Sequence, residues 1–195
     1  MKRYYDRRAR EYDDWWLGKG LFEARDRAGW EDERNCLADV LEMLEPASTL
    51  DVACGTGFLT HNLRGDLTCL DQSEQMLAIA EARIPYATFV RADVPPLPFA
   101  DDSFDRVFTS HFYGHLEEPA RSLFLNEARR VGPELVVVDS ALRDDVQAEE
   151  RQLRELKDGS SWTVYKRFFT PDALATELGD GETLFAGRWF VAVRA

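Results

Sequence analysis

Cysteine is scarce in this chain. Cys36, Cys54 and Cys69 are the only three, an odd number with no C-x-x-C spacing. Their scarcity argues against a disulfide framework and against a thiolate zinc site, and a reducing, cytoplasmic setting is expected. Positive charge is also in short supply. Against 36 acidic residues stand 24 Lys and Arg, a formal net charge of -12. A chain so short of cations offers no polycationic face to phosphates, so neither nucleic acid nor an anionic membrane is an expected partner. No stretch approaches the roughly 20 apolar residues of a membrane span. The first residues, including Lys2, Arg3, Arg7, Arg8 and Arg10, hold no apolar run and do not read as a leader. What remains is 195 residues, 45% hydrophobic and 31% charged, the composition of one globular domain with an ample core.

The rest of the chain is organised around Thr49-Leu50-Asp51-Val52-Ala53-Cys54-Gly55-Thr56-Gly57-Phe58-Leu59-Thr60. It reads as a buried strand, a Gly-punctuated turn and a helix opening at Phe58. Such a unit cradles a nucleotide-like ligand, with backbone approaching closely at the glycines and helix N–H groups pointing at an anion. A dinucleotide fingerprint requires a third glycine where Thr60 stands, and a P-loop requires a Lys that is absent. Asp51, an acid on the strand, favours a ligand carrying an ammonium group over a pyrophosphate. S-adenosylmethionine carries an ammonium, a carboxylate and a sulfonium.

Two further stretches agree. Leu67 to Asp71 is a short apolar run ending in an acid, placed to accept hydrogen bonds from ribose hydroxyls. Ser73 suits the N-cap of the helix that carries Met76, Leu77, Ile79 and Ala80. Downstream, Arg91-Ala92-Asp93-Val94-Pro95-Pro96-Leu97-Pro98-Phe99-Ala100-Asp101-Asp102-Ser103-Phe104-Asp105 delivers an acid, a proline-rich turn and a D-x-S-F-D run before the strand Arg106 to Ser110.

Leu50 to Gly57 and Arg91 to Asp105, in that order and separation, resemble the class I S-adenosylmethionine-dependent methyltransferases. Tyr5 to Asp13 resembles the N-terminal segment of the small-molecule, ubiquinone-biosynthesis group. Ala53 stands where many members have glycine. The resemblance covers essentially the whole chain. It implies an α/β fold: a single doubly wound, mostly parallel seven-stranded sheet with helices on both faces and an antiparallel C-terminal hairpin. Residues 1–45 would supply an N-terminal helical lid and a core helix, and residues 46–195 a Rossmann-like core. The implied cofactor is S-adenosyl-L-methionine, with S-adenosyl-L-homocysteine as product. By this carry-over Asp51, Ala53, Cys54, Gly55, Thr56 and Gly57 surround the methionine portion, Asp71, Gln72 and Met76 the ribose and adenine, and Ala92, Asp93 and Val94 the adenine. Tyr12 closes over the methionine end, and Ser110 completes the wall.

The carboxyl end of the Arg106 to Ser110 strand, Ser110-His111-Phe112-Tyr113-Gly114-His115, is where a methyl acceptor would lie. His111 is the candidate base, needed only if the nucleophile arrives protonated. Tyr5, Tyr113, His115 and Tyr165 are candidate substrate contacts. Each of these also reads as plain pocket wall or core packing. A charged helix is expected from about Asp144 to Lys157, closed by Asp158-Gly159. Three functions remain in view: transfer of a methyl group to a small organic acceptor, NAD-linked oxidoreduction, and a non-catalytic module that binds S-adenosylmethionine. No metal site is expected, and oligomeric state is left open.

Overall fold

A computed structural model describes residues 1–195. Its main sheet has seven strands: β1 (Thr49–Val52), β2 (Leu67–Asp71), β3 (Thr88–Arg91), β4 (Arg106–Ser110), β5 (Glu134–Ser140), β8 (Glu182–Ala186) and β9 (Phe190–Arg194). They lie in the order β3-β2-β1-β4-β5-β9-β8. The first five are parallel, β9 runs antiparallel to β5, and β8 antiparallel to β9. This is the expected doubly wound sheet with its terminal hairpin. The strand order reverses between β1 and β4, so the crevice that takes ligands opens at their carboxyl ends.

Alternation along the strands divides the core. In β5, Val136 and Val138 face one side and Leu135 and Val137 the other. On the first side α3 (Trp30–Glu42) packs through Leu37 and Leu41, and α4 (Glu74–Arg83) through Leu77 and Ala80. On the second side α5 (Ala120–Val131) packs through Phe124, Ala128 and Val131, and α6 (Pro171–Glu177) through Leu174. Thr170 caps α6 by accepting from the Ala173 N–H at 3.2 Å.

Two expected helices are absent. After Gly57 there is no α-helix but one 3-10 turn, Thr60–Asn62. Residues 58–66 alone separate the Gly loop from β2, and at Gly65 the chain doubles back against Ala47, where a Cβ would stand 2.2 Å from the Ala47 oxygen. Asp66 N–H bonds to Ala47 and Thr49 N–H to Asp66, which ties off the segment before it can wind further. The second correction concerns Asp144 to Lys157. Here the chain forms β6 (Glu149–Glu155), paired antiparallel with β7 (Ser161–Arg167) in a separate two-stranded sheet. Gly159, at φ +79°, makes the hairpin turn that the sequence reading took for a helix end.

The N-terminal segment, α1 (Lys2–Arg8), a 3-10 turn and α2 (Tyr12–Leu17), is fastened to both the Gly loop and this hairpin. Thr56 donates to Asp13 at 2.6 Å, and Arg83 bonds the other Asp13 oxygen at 2.5 Å. Glu11 accepts the Lys157 N–H, and Lys157 pairs with Asp14 at 2.5 Å. Ser73 has two duties: its Oγ accepts from the Met76 N–H, capping α4, and donates to Asp6 at 2.6 Å, holding α1. Ser73→Ala is expected to lower stability by about 1 kcal/mol, the cost of a lost N-cap, measured by urea unfolding. No helix is long and apolar enough to cross a membrane.

Candidate functional site

A cavity of about 390 Å³ opens at the carboxyl ends of β1, β2 and β4. Of the residues singled out in the sequence, Tyr5, Tyr12, Ala53, Gly55, Asp71, Gln72, Met76, Asp93, Val94, Ser110, His111, His115 and Tyr165 line it. The floor is the Gly loop. Ala53 and Gly55 both adopt the left-handed conformation, φ +59° and +56°. That is ordinary for Gly55 but costs Ala53 of order 1 kcal/mol, which accounts for the glycine found at this place in the resembled family. A Cβ on Gly55 would stand 3.6 Å from the Tyr12 ring, in the space between loop and N-terminal segment.

Asp71 joins the loop to the next unit. Its Oδ2 accepts from Gly55 N–H at 2.9 Å and its Oδ1 from Ser73 N–H at 2.8 Å. Each oxygen keeps a further lone pair. Burial pushes its pKa up to about 6, against the pull of the Ser73 and Gly55 N–H groups. Asp93 and Val94 form the wall beyond Asp71, delivered by the loop after β3.

Six expected contacts lie elsewhere. Asp51, 1% exposed, does not reach the cavity surface; it accepts from Thr60 Oγ1 on Oδ2, while Oδ1 is buried without a partner. Burial drives its pKa up to about 8. Cys54 is buried, its thiol pushed up by a hydrogen bond with Cys69 and by burial. Thr56 faces Asp13 and Arg83 instead of the cavity. Gly57, at φ +69°, packs against α4, where a Cβ would stand 3.0 Å from Ile84. Ala92 packs against the core beneath the sheet. Tyr113 is fully buried, stacks on Phe169 at 5.7 Å and donates to Glu177 at 2.6 Å. The 3-10 turn at Tyr113–His115 rotates it inward while Phe112 and His115 face the cavity.

The far wall holds His111 and His115. His111, at φ +52°, is packed edge-on against Trp15 and Trp16, with centroids 4.9 and 5.0 Å away. Its Nδ1 lies 3.3 Å from Ser140 Oγ and 3.7 Å from Asp139, and its Nε2 is buried and unpartnered. Burial depresses its pKa to about 3, so the ring is neutral. Asp139 is occupied by Lys166 and by the N–H groups of Gly114 and Ser140, which hold it ionised despite complete burial. His115 Nδ1 meets the Tyr165 carbonyl at 2.6 Å, and burial keeps its pKa well below normal.

Arg151, Thr163 and Val164 also line the cavity and were not expected there. They arrive on β6 and β7. Their signal was the Asp158-Gly159 turn between two alternating runs.

Residues 49–132 match the family described as a methyltransferase domain. A demethylmenaquinone methyltransferase of Thermotoga maritima is 33% identical over 134 residues, 66% of this chain and 55% of that protein. A dTDP-3-amino-3,4,6-trideoxy-alpha-D-glucopyranose N,N-dimethyltransferase of Streptomyces venezuelae is 40% identical over 88 residues, 43% of this chain and 34% of that protein. The chain spans about half the length of the first relatives it matches. A solved structure described as the DhpI–SAH complex superposes with a TM-score of 0.73 at 25% identity, covering 98% of this chain and 92% of that one.

Proposed function

We propose that this chain is a class I S-adenosylmethionine-dependent methyltransferase, a reading supported by the methyltransferase-domain match and by its likeness to such proteins, and that it moves a methyl group from S-adenosylmethionine to a small organic acceptor. The observation that carries this reading is Asp71, which spans the Gly loop and the start of α4 with lone pairs left over beside a cavity that also holds Asp93. In this reading Asp71 receives the ribose hydroxyls, and Asp93 with the Val94 N–H receives the adenine edge. The left-handed backbone at Ala53 and Gly55 lets the methionine portion lie against the loop, beneath Tyr12. Residues 1–45 serve in part as a lid, since Tyr5 and Tyr12 form the wall nearest the loop.

The cofactor, when bound, supplies the electrophile, a methyl carbon on a sulfonium. This chain's residues then have to align the acceptor opposite that bond and keep water out. Trp15, Trp16 and Phe190 around His111 exclude water. His111, held neutral, is assigned to the wall. A group so reluctant to take a proton is a weak base at neutral pH.

The oxidoreductase reading loses ground on geometry. Dinucleotide sites place a pyrophosphate on the N-terminus of the helix that follows the loop. Here that helix is a single 3-10 turn without a side-chain cap. S-adenosylhomocysteine is accordingly expected to raise the melting temperature of the protein and NADH to leave it unchanged, because only a ligand of the native state stabilises it. Stabilisation by NADH alone would overturn the proposal. Transfer of labelled methyl to a panel of small acceptors separates catalysis from mere binding.

A further inference from the structure

A second cavity, of about 910 Å³, lies against the first and shares Tyr12, His111 and His115 with it. Its lining is unlike the rest of the molecule. In a chain of net charge -12, Arg8, Arg25, Arg27 and Arg154 converge on this one space, and none of them is paired with a carboxylate. Arg8 is 8% exposed; its Nη1 donates to Tyr4 Oη at 2.8 Å and its guanidinium lies over the Tyr12 ring at 4.8 Å. Arg25 rests over Phe22 at 4.8 Å, and Arg154 bonds only Gln152 at 2.9 Å. Arg27 lies over the Trp30 ring at 4.1 Å and donates to the Trp15 carbonyl through Nη1, while its Nη2 is buried with no hydrogen-bond partner.

Four unpaired guanidiniums face three acids that no cation neutralises, Glu11, Asp26 and Glu155, so the cations are in slight excess. Asp145 is taken by Arg143 at 2.9 Å, and Glu11 accepts the Lys157 N–H. Asp26 and Glu155 are exposed at the rim. Arg8 is buried, Arg27 and Arg154 are half-buried and Arg25 is exposed at the mouth; a cation withdrawn from water without a partner, as Arg8 is, is expensive to keep. Burial, followed by the nearby charges of Arg154 and Arg8, lowers the pKa of Arg25; burial and Arg25 lower that of Arg27 to about 10. An anion bound among these guanidiniums would offset both the burial and the repulsion.

We infer that this cavity is the acceptor subsite and that it selects an acceptor bearing an oxyanion, a carboxylate or phosphoryl group held by Arg8, Arg25, Arg27 and Arg154. The inference rests on the methyltransferase reading, which places the donor in the adjoining cavity. Planar guanidinium forks suit both oxyanions. A polyanion such as a nucleic acid is disfavoured by the acidic exterior, so the ligand is a small molecule. Bound there, the acceptor would border the donor cavity at Tyr12, His111 and His115, the residues that line both.

The test is calorimetric titration of the full chain, with and without saturating S-adenosylhomocysteine, using inorganic phosphate, benzoate and the neutral benzamide. Binding of either anion, with benzamide at least tenfold weaker than benzoate, is expected. The tighter anion identifies the phosphoryl or the carboxylate class. The double variant Arg25→Gln/Arg154→Gln, altered at one exposed and one hairpin position, is expected to weaken anion binding about tenfold or more and to retain affinity for S-adenosylhomocysteine. Equal binding of benzamide and benzoate, anion affinity unchanged in the variant, or no anion binding to a protein that takes up S-adenosylhomocysteine would each overturn the inference. Anion binding that persists when S-adenosylhomocysteine fails to bind would instead sink the donor assignment and leave the oxyanion site standing.

Discussion

Asp71→Ala is expected to weaken S-adenosylhomocysteine binding by roughly 100- to 10,000-fold or more. A carboxylate that accepts two hydroxyl hydrogen bonds contributes about 1.5–3 kcal/mol through each, and every 1.4 kcal/mol is tenfold in affinity. The variant also frees the Gly55 and Ser73 N–H groups, which Asp71 now satisfies at 2.9 and 2.8 Å, so the loop loses its anchor to β2. Asp71→Asn separates the two effects. It keeps the shape but offers an amide that can satisfy only one of the two backbone donors, and its affinity should fall between those of wild type and Asp71→Ala. Protonation does the same job reversibly. With the pKa of the empty site at about 6, affinity should decline as pH drops through that value. Calorimetry that finds Asp71→Ala binding as tightly as wild type would remove the residue from the site.

The second large effect has the opposite sign. Asp51 is a carboxyl kept at 1% exposure with Oδ1 unpartnered and its pKa pushed up to about 8 by burial. The folded protein therefore holds this proton more tightly than the unfolded chain, whose Asp titrates near 3.8. Stability falls wherever the native state binds the extra proton, so the cost grows as pH rises from about 4 to about 8 and is constant above. Asp51→Asn keeps the shape and a partner for Thr60 but cannot ionise. At pH 7 it should stabilise the empty protein by on the order of 2–4 kcal/mol, and the gain should vanish near pH 4. Urea unfolding of both proteins across that range is the measurement. A variant no more stable than wild type at pH 8 would show that Asp51 is not strained in the fold. Retaining so costly an acid beside the Gly loop is explained if bound ligand benefits from its charge, the role the resemblance gave it.

The two stretches misread in the sequence share a physical cause. Phe58, Leu59 and Leu63 have helical spacing, yet the turn at Gly65 against Ala47 leaves too few residues to wind. From Glu149 to Glu155 the charges suit a solvated helix or a solvated strand equally well. The choice falls to β7, and to Leu156, Val164 and Tyr4, which form their own small core. Tyr113 was misplaced by a rotation of one residue in a 3-10 turn. In each case a local pattern was overruled by a partner distant in the chain.

What the sequence determined alone was the strands β1, β2 and β4, the glycine-marked loop after β1 and the acids that end β2 and follow β3. These are short-range signals: a buried strand is recognised by its own apolar run and a turn by its own glycine. The second cavity, with its four arginines, was decided by tertiary structure. Arg8, Arg25, Arg27 and Arg154 come from α1, the loop before α3 and β6, and no spacing along the chain records that they meet. Composition, which counts 36 acids against 24 bases, even points away from an anion site. Net charge sums over a whole surface, while recognition depends on the few charges that folding gathers and leaves unpaired.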